Sequence, residues 1–219
     1  MTSTVAFGQD SGFGTFSGNV AATSDYVFRG YSQSDEHPAF QPALNWDSGA
    51  GIHLNFWGSN IDFNDGGDAD IEVDLTAGYA GSVDKFSYDV GAIAYLYPGT
   101  AKKKNYNYWE AYTTFGYDLG VAKLNTSIYY SPDFFGGIDD AWAIQGGFSA
   151  PLAEKLTFDA QLGKQMIKKK FGTDYTYWNA GLTYSFPWVD VGLRYHDTNV
   201  AVCAGLCGAR GVLTLTKNF

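Results

Sequence analysis

Apolar and polar residues alternate along most of the chain. In DIEVDLTAGY, residues 70–79, Ile71, Val73 and Leu75 fall on one side, and the positions between them are acidic or small. The same alternation returns in FSYDVGAIAYL (86–96), AKLNTSIYYS (122–131), LTFDAQLG (156–163) and WNAGLTYSF (178–186). Successive side chains of a strand point to opposite faces, whereas a helix repeats every three to four residues. The pattern therefore predicts half-buried β-strands.

About twelve such segments can be counted, and the breaks between them alternate in kind. Short breaks with turn residues, such as GSVDK (81–85), alternate with long polar breaks, such as PGTAKKKNYN (98–107). This alternation is typical of bacterial outer-membrane barrels, which have short periplasmic turns and long external loops. We predict an all-β protein, a transmembrane up-and-down antiparallel β-barrel with both termini periplasmic. The barrel covers residues 15–219, and residues 1–14 form a disordered or periplasmic N-terminal segment. The predicted strands are 15–30, 39–47, 51–60, 70–80, 86–97, 106–117, 121–131, 140–150, 156–166, 174–186, 188–197 and 209–219.

The distribution of aromatic residues indicates which face meets lipid. A soluble lipocalin-like barrel would turn its apolar face inward. Here the aromatics of the apolar face lie near strand ends, and the strand middles carry Val, Leu, Ala and Gly. Two aromatic girdles around an aliphatic band fit a bilayer. Tyr26 and Phe28 are therefore predicted to face lipid near the outer rim. The predicted girdle residues are Phe16, Phe28, Phe40, Trp46, Phe86, Phe115, Tyr117, Trp178, Phe186 and Phe219.

Composition and the two ends of the chain indicate the cellular location and exclude one class of partner. The net charge of −9 argues against sequence-independent binding to nucleic acid. The start, MTSTVAFGQD, lacks the features of a signal peptide. We expect that a leader has been removed and that the protein resides in the outer membrane of a Gram-negative bacterium. The last strand ends on Phe219, with Leu213 and Leu215 in phase, which resembles strands recognised by the barrel-insertion machinery. Lys217 stands where an aromatic residue is usual.

One long segment resembles a known family. TSDYVFRGYSQSDEHPAFQPALNW, followed by GIHLNFWGSNIDF, is similar to the start of the TorF-type porins, a proteobacterial outer-membrane family of unknown function. The resemblance covers roughly residues 15–219 and is most specific over 24–35. It implies an outer-membrane location and a channel role, with no established substrate and no catalytic residues.

The polar face carries more acidic than basic residues. These charges predict a narrow porin-like channel for small polar solutes or ions that prefers cations. Glu72 and Asp74 are expected on a water-filled face, and Arg29 is expected beside strand 209–219. An interior filled by paired side chains is the alternative, with the barrel acting as a structural or adhesive protein through its outer loops. The candidate pore-lining residues are Asp25, Arg29, Glu72, Asp74, Asp89, Glu110, Lys123, Asp159, Asp190 and Arg194, with Asp70 as a further lumen-facing carboxylate.

The outer loops hold the remaining candidate chemistry. Cys203 and Cys207 are too few for a zinc site and are expected to form a disulfide in an oxidising compartment. The acidic loop 62–70 lacks calcium-loop spacing, although a loosely held divalent ion stays open. The triple lysines at 102–104 and 168–170 are either solvated or contact lipopolysaccharide phosphates. No metal or cofactor is assigned.

An enzyme is the least favoured hypothesis. A lipid-hydrolysing barrel needs a Ser–His pair on its lipid face near the outer leaflet. His37 and His196 are assigned to loops, and His53 points inward near the periplasmic end. We therefore predict that the protein is not an enzyme.

Overall fold

The protein is a closed antiparallel β-barrel. The computed structural model describes residues 13–66, 69–101, 104–168, 173–203 and 205–219. Within these residues, twelve strands form the wall, and two short strands, β2 (Val27–Phe28) and β3 (Tyr31–Ser32), form a separate ribbon. The wall strands are β1 (Thr15–Thr23), β4 (Ala39–Asp47), β5 (Ile52–Asn60), β6 (Ile71–Val83), β7 (Phe86–Leu96), β8 (Tyr108–Asp118), β9 (Lys123–Ser131), β10 (Ala141–Ala153), β11 (Leu156–Ile167), β12 (Tyr175–Ser185), β13 (Asp190–Thr198) and β14 (Arg210–Asn218).

Each wall strand pairs with the wall strands before and after it, and β1 also pairs with β14, which closes the sheet. The prediction of a twelve-stranded barrel is confirmed. Every wall strand after the first begins and ends within three residues of its predicted bounds. In the described residues, no helix is long and apolar enough to cross a membrane.

The alternation along each strand sets its two faces. On β6, Ile71 and Leu75 are exposed on the outer surface, whereas Glu72 between them is buried inside. Because period-two patterning sends every second residue outward, the exterior becomes a continuous apolar surface suited to lipid.

Short turns and long loops lie at opposite ends of the barrel. Asp84 and Lys85 alone join β6 to β7, and Asp84 takes a positive φ of 53°. A two-residue hairpin turn needs this left-handed backbone, which Asp adopts more readily than most residues. Both termini of the barrel lie at the end that holds the short turns. That this end faces the periplasm stays a prediction.

The first wall strand ends earlier than predicted. β1 stops at Thr23, and the following residues leave the wall and enter the interior as the ribbon β2–β3. Arg29 and Gly30 form the turn of the ribbon with φ of 45° and 86°, which matches a two-residue turn with left-handed backbone at both positions.

The prediction that Tyr26 and Phe28 face lipid is therefore wrong. Tyr26 is buried and packs its ring 5.2 Å from that of Trp57, and Phe28 lies 6.0 Å from Tyr95. The apolar–polar alternation continues from β1 through β2, so the pattern does not reveal that the chain has left the wall.

Candidate functional site

The tip of the ribbon is held by a buried ion pair. Arg29 donates from Nη1 to Glu110 Oε1 at 2.8 Å and from Nη2 to Oε2 at 2.7 Å, and Nη1 also donates to Gln165 Oε1 at 3.0 Å. Arg29 is 8% exposed, and Glu110 and Gln165 are each 1% exposed. Paired parallel bonds between guanidinium and carboxylate are among the strongest side-chain hydrogen bonds. The rings of Phe28 and Tyr129 each lie 4.7 Å from the guanidinium carbon.

These partners place the ribbon across the interior. In the ring of strands, β8 with Glu110 lies five strands from β1 in one direction, and β11 with Gln165 lies four strands away in the other. The expectation that Arg29 sits beside strand 209–219 is therefore wrong, because the ribbon carries it to the far wall. We call Arg29, Glu110 and Gln165 the clasp.

The base of the ribbon is fixed near the last loop. Asp25 accepts from Ser32 Oγ at 2.6 Å and from Arg210 Nη1 at 2.9 Å. The Ser32 amide donates to the carbonyl of Leu206 at 2.7 Å. Leu206 belongs to the loop closed by the disulfide between Cys203 and Cys207, which confirms the predicted pairing. The disulfide loop thus contributes directly to holding the ribbon.

Glu72 and Asp74 lie in a more enclosed place than expected. Glu72 is 2% exposed, and its Oε1 accepts from the Tyr97 hydroxyl at 3.0 Å. Among the described residues, no hydrogen-bond partner reaches Glu72 Oε2 or Asp74 Oδ1. The expectation of a water-filled face is wrong for Glu72, because buried tyrosines pack around this part of the wall, among them Tyr26, which directly precedes the ribbon.

The other predicted pore residues are distributed below the ribbon, toward the short turns. Arg194 pairs with Asp159 at 2.5 Å, Asp89 pairs with His53 at 3.0 Å and accepts from the Tyr112 hydroxyl at 3.0 Å, and Asp190 accepts from Asn218 at 2.9 Å. Lys123 is exposed at the start of β9. Asp70, by contrast, is exposed at the long-loop end, in the loop before β6.

Two cavities lie on opposite sides of the ribbon. The outer cavity, at the long-loop end, has a volume of about 780 Å³, and the inner cavity has about 340 Å³. Phe28 borders both. The inner cavity shares Gln161 and Asn179 with a further space of about 410 Å³ around Asp159 and Arg194. The ribbon therefore divides the interior into an outer and an inner compartment.

Sequence reasoning missed several residues of this site. Gln165 and Tyr95 carry no charge that would single them out, yet Gln165 belongs to the clasp and the Tyr95 hydroxyl donates to Glu110 at 3.0 Å. His196 was assigned to a loop, but it lies on β13 and borders the inner cavity. The signal was present, because His196 continues the alternation of Arg194.

The described lysines of the two triple-lysine segments make bonds within the loops. Lys104 donates to Asp65, and Lys168 donates to Asp139 at 2.8 Å. The hydrogen bond from Lys168 lowers the pKa of Asp139. Residues 102–103 and 169–170 lie outside the described residues, as do 67–68 of the acidic loop and residues 1–12. Among the residues the structure describes, no group of three or more His, Cys, Asp or Glu could hold a metal ion.

Comparison with known proteins places the chain in a family. Residues 6–218 match the family described as "Bacterial protein of unknown function (Gcw_chp)". The chain belongs to the Gcw_chp family. The narrower resemblance to the TorF-type porins stays a prediction. No curated protein matches the chain.

Two of the solved structures similar to this Gcw_chp protein are described as porins. The NanC porin superposes with a TM-score of 0.63 at 12% identity, covering 92% of this chain and 98% of the other. The KdgM porin, in complex with disordered oligogalacturonate, gives a TM-score of 0.61 at 10% identity, covering 93% and 98%. At these identities the likeness establishes the porin-like fold.

Proposed function

We propose that the protein is a narrow channel in the outer membrane of a Gram-negative bacterium, passing small polar solutes or ions when the ribbon is displaced. The observation that carries the proposal is the clasped ribbon, which separates two cavities inside a porin-like barrel. The likeness of the fold to porins supports the location and the channel role. The activity is passage through the lumen and not catalysis.

The ribbon can move without opening the wall. β2 and β3 pair only with each other, and β1 keeps its pairing with β4 and β14 whether or not the ribbon is docked. Displacement of the ribbon breaks the clasp and the hydrogen bonds at the base of the ribbon, but it breaks no pairing between neighbouring wall strands. A porin-like barrel would therefore keep its shape while its lumen opens.

The interior charges favour cations. Among the described interior residues, Arg29, Arg194 and Arg210 each face a carboxylate partner. The carboxylates paired with these arginines are neutralised. Outside the enclosed region around Glu72 and Asp74, the carboxylates that remain without an arginine are Asp89 and Asp190, against Lys123. Fixed negative charge in a narrow channel concentrates cations, and the effect weakens as salt shortens the Debye length.

Planar-bilayer recording tests the proposal. Refolded protein should give current steps, and its reversal potential in a KCl gradient should report K⁺ preference that is larger at low salt. Neutralising two interior carboxylates, Asp89→Asn with Asp190→Asn, should reduce the preference. The matched control Asp84→Asn, in an exposed turn, should leave it unchanged.

Two outcomes would contradict the proposal. Absence of steps in a variant whose ribbon residues 25–34 are replaced by a short Gly-Ser linker, with folding verified by the heat-dependent gel shift, would remove the channel role. The second candidate, a plugged barrel that acts through its outer loops, would then be favoured, because buried charge pairs and aromatic packing hold the interior shut. Preference for Cl⁻ would instead show that the arginines determine the electrostatic potential inside the channel.

A further inference from the structure

The outer cavity is lined mainly by apolar side chains, many of them aromatic. It opens between the long loops, and eight of the eighteen described residues that line it are Phe or Tyr. Its volume of about 780 Å³ lies in the range of small-molecule sites, which are apolar pockets with a few placed polar groups. Nothing in the proposed passage of ions requires such a lining.

The rings are held in place before any ligand arrives. Phe135 stacks on Tyr106 with centroids 4.5 Å apart and planes 13° apart, and it makes a T-shaped contact with Phe63, with centroids 5.2 Å apart. Tyr31 of the ribbon packs against Tyr175 at 5.1 Å. A site whose side chains are already ordered loses less conformational entropy on binding.

The charge of the lining restricts the ligand. Asp174 is the single Asp, Glu, Lys, Arg or His among the described residues that line the cavity, and it accepts from the amide of Ile167 at 3.0 Å. An anion would find no cationic side chain among the described lining residues, and the Asp174 carboxylate, which could attract a cation, already lies 4.0 Å from Lys164 Nζ. Ser32, Gln33 and Asn199 offer neutral hydrogen-bonding groups at the edges. Flat aromatic faces with neutral polar edges suit an uncharged molecule that carries an aromatic ring.

We infer that the outer cavity is a binding site for uncharged organic molecules that carry an aromatic ring. The inference deepens the proposed channel, and its link to current rests on that function. Phe28, Tyr31, Ser32 and Gln33 belong to the ribbon or follow it, so the docked ribbon forms part of the site. A ligand that contacts the docked ribbon binds the docked form more tightly than the displaced form. By linkage, the bound ligand shifts the equilibrium toward the docked ribbon.

Direct binding to the folded barrel tests the site independently of conductance. Equilibrium dialysis in detergent, with empty micelles as the blank, would use p-nitrobenzyl alcohol as the probe, and p-nitrobenzoate, benzyltrimethylammonium and maltose as comparison ligands. The alcohol should bind saturably with one site per chain, and each comparison ligand should bind at least about tenfold more weakly. Tyr31→Ala and Phe134→Ala should each weaken binding of the alcohol roughly tenfold, because a lost ring contact and its buried area are together of that order. Phe148→Ala, on the exterior, is the matched control and should bind like the wild type.

The alternative results are distinct. Absence of saturable binding above the micelle blank would overturn the inference, as would tighter binding of any comparison ligand or equal weakening by Phe148→Ala. In bilayers, the alcohol should lower the open probability of the wild type. Saturable binding by a protein that never conducts would leave the site standing and refute the channel, whereas current without binding would do the reverse.

Discussion

Removing the charge of Glu110 should open the barrel. Glu110 accepts two bonds from Arg29 and one from Tyr95 while it is 1% exposed. Glu110→Gln keeps the shape and one carbonyl oxygen, but it leaves the guanidinium buried without a carboxylate in contact. Breaking a buried ion pair by removing one partner costs about 3–5 kcal/mol. In the displaced state Arg29 is hydrated, so this cost falls on the docked ribbon alone.

The lower end of that range fixes the expected size of the effect. A difference of about 3 kcal/mol changes the ratio of docked to displaced ribbon roughly 150-fold. Single-channel recording should therefore show the open probability of Glu110→Gln rising by about two orders of magnitude, or saturating near full opening. Asp159→Asn is the matched control, because it removes a carboxylate from Arg194 and does not touch the ribbon. Its open probability should stay that of the wild type.

A double variant separates the ion pair from general loosening. Arg29→Met combined with Glu110→Gln removes both buried charges, and replacement of a whole buried pair by uncharged groups is often close to neutral. The double variant should therefore be more closed than Glu110→Gln alone. The reasoning is refuted if Glu110→Gln, with an intact heat-dependent gel shift, opens no more often than the wild type, or if the double variant opens more than the single one.

Two further predictions concern the wall. Leu75→Arg places a charge on the exposed lipid face of β6 and should lower the stability of the barrel by roughly 2–4 kcal/mol if the residue lies near the midplane. The control Leu75→Met should be nearly neutral. Equal unfolding midpoints in urea for the two variants would refute the assignment of that face. Gly163→Ala would make its new Cβ overlap with the Tyr177 ring, so overpacking should lower stability by about 1–3 kcal/mol in the same assay. Gly211→Ala has no atom within 4 Å of its new Cβ and is the control; an equal loss in both would mean that contact with Tyr177 is not the cause.

The wall could be predicted from the sequence, but its contents could not. Lipid on one side and the interior on the other impose a strict period of two, so the faces of Leu75 and Asp74 are readable from their neighbours alone. The ribbon keeps the same alternation at Tyr26 and Phe28, and local patterning contains nothing that separates wall from interior. The pairing of Arg29 with Glu110 depends on how far a two-strand excursion reaches across the barrel. That distance is set by the diameter of the closed barrel, so it cannot be read from any short segment of the sequence.

The anchors of the ribbon are far away along the chain, and this gives assembly an order. Arg29 meets Glu110 and Gln165 81 and 136 residues later, and Asp25 meets Arg210 185 residues later. Contacts of such long separation form only after most loop-closure entropy has been lost. β1 also waits for β14 before the seam can close. The attachment at the base of the ribbon, which needs Leu206 and Arg210, therefore forms only after the final hairpin is in place, whereas the partners of Arg29 lie on the earlier strands β8 and β11.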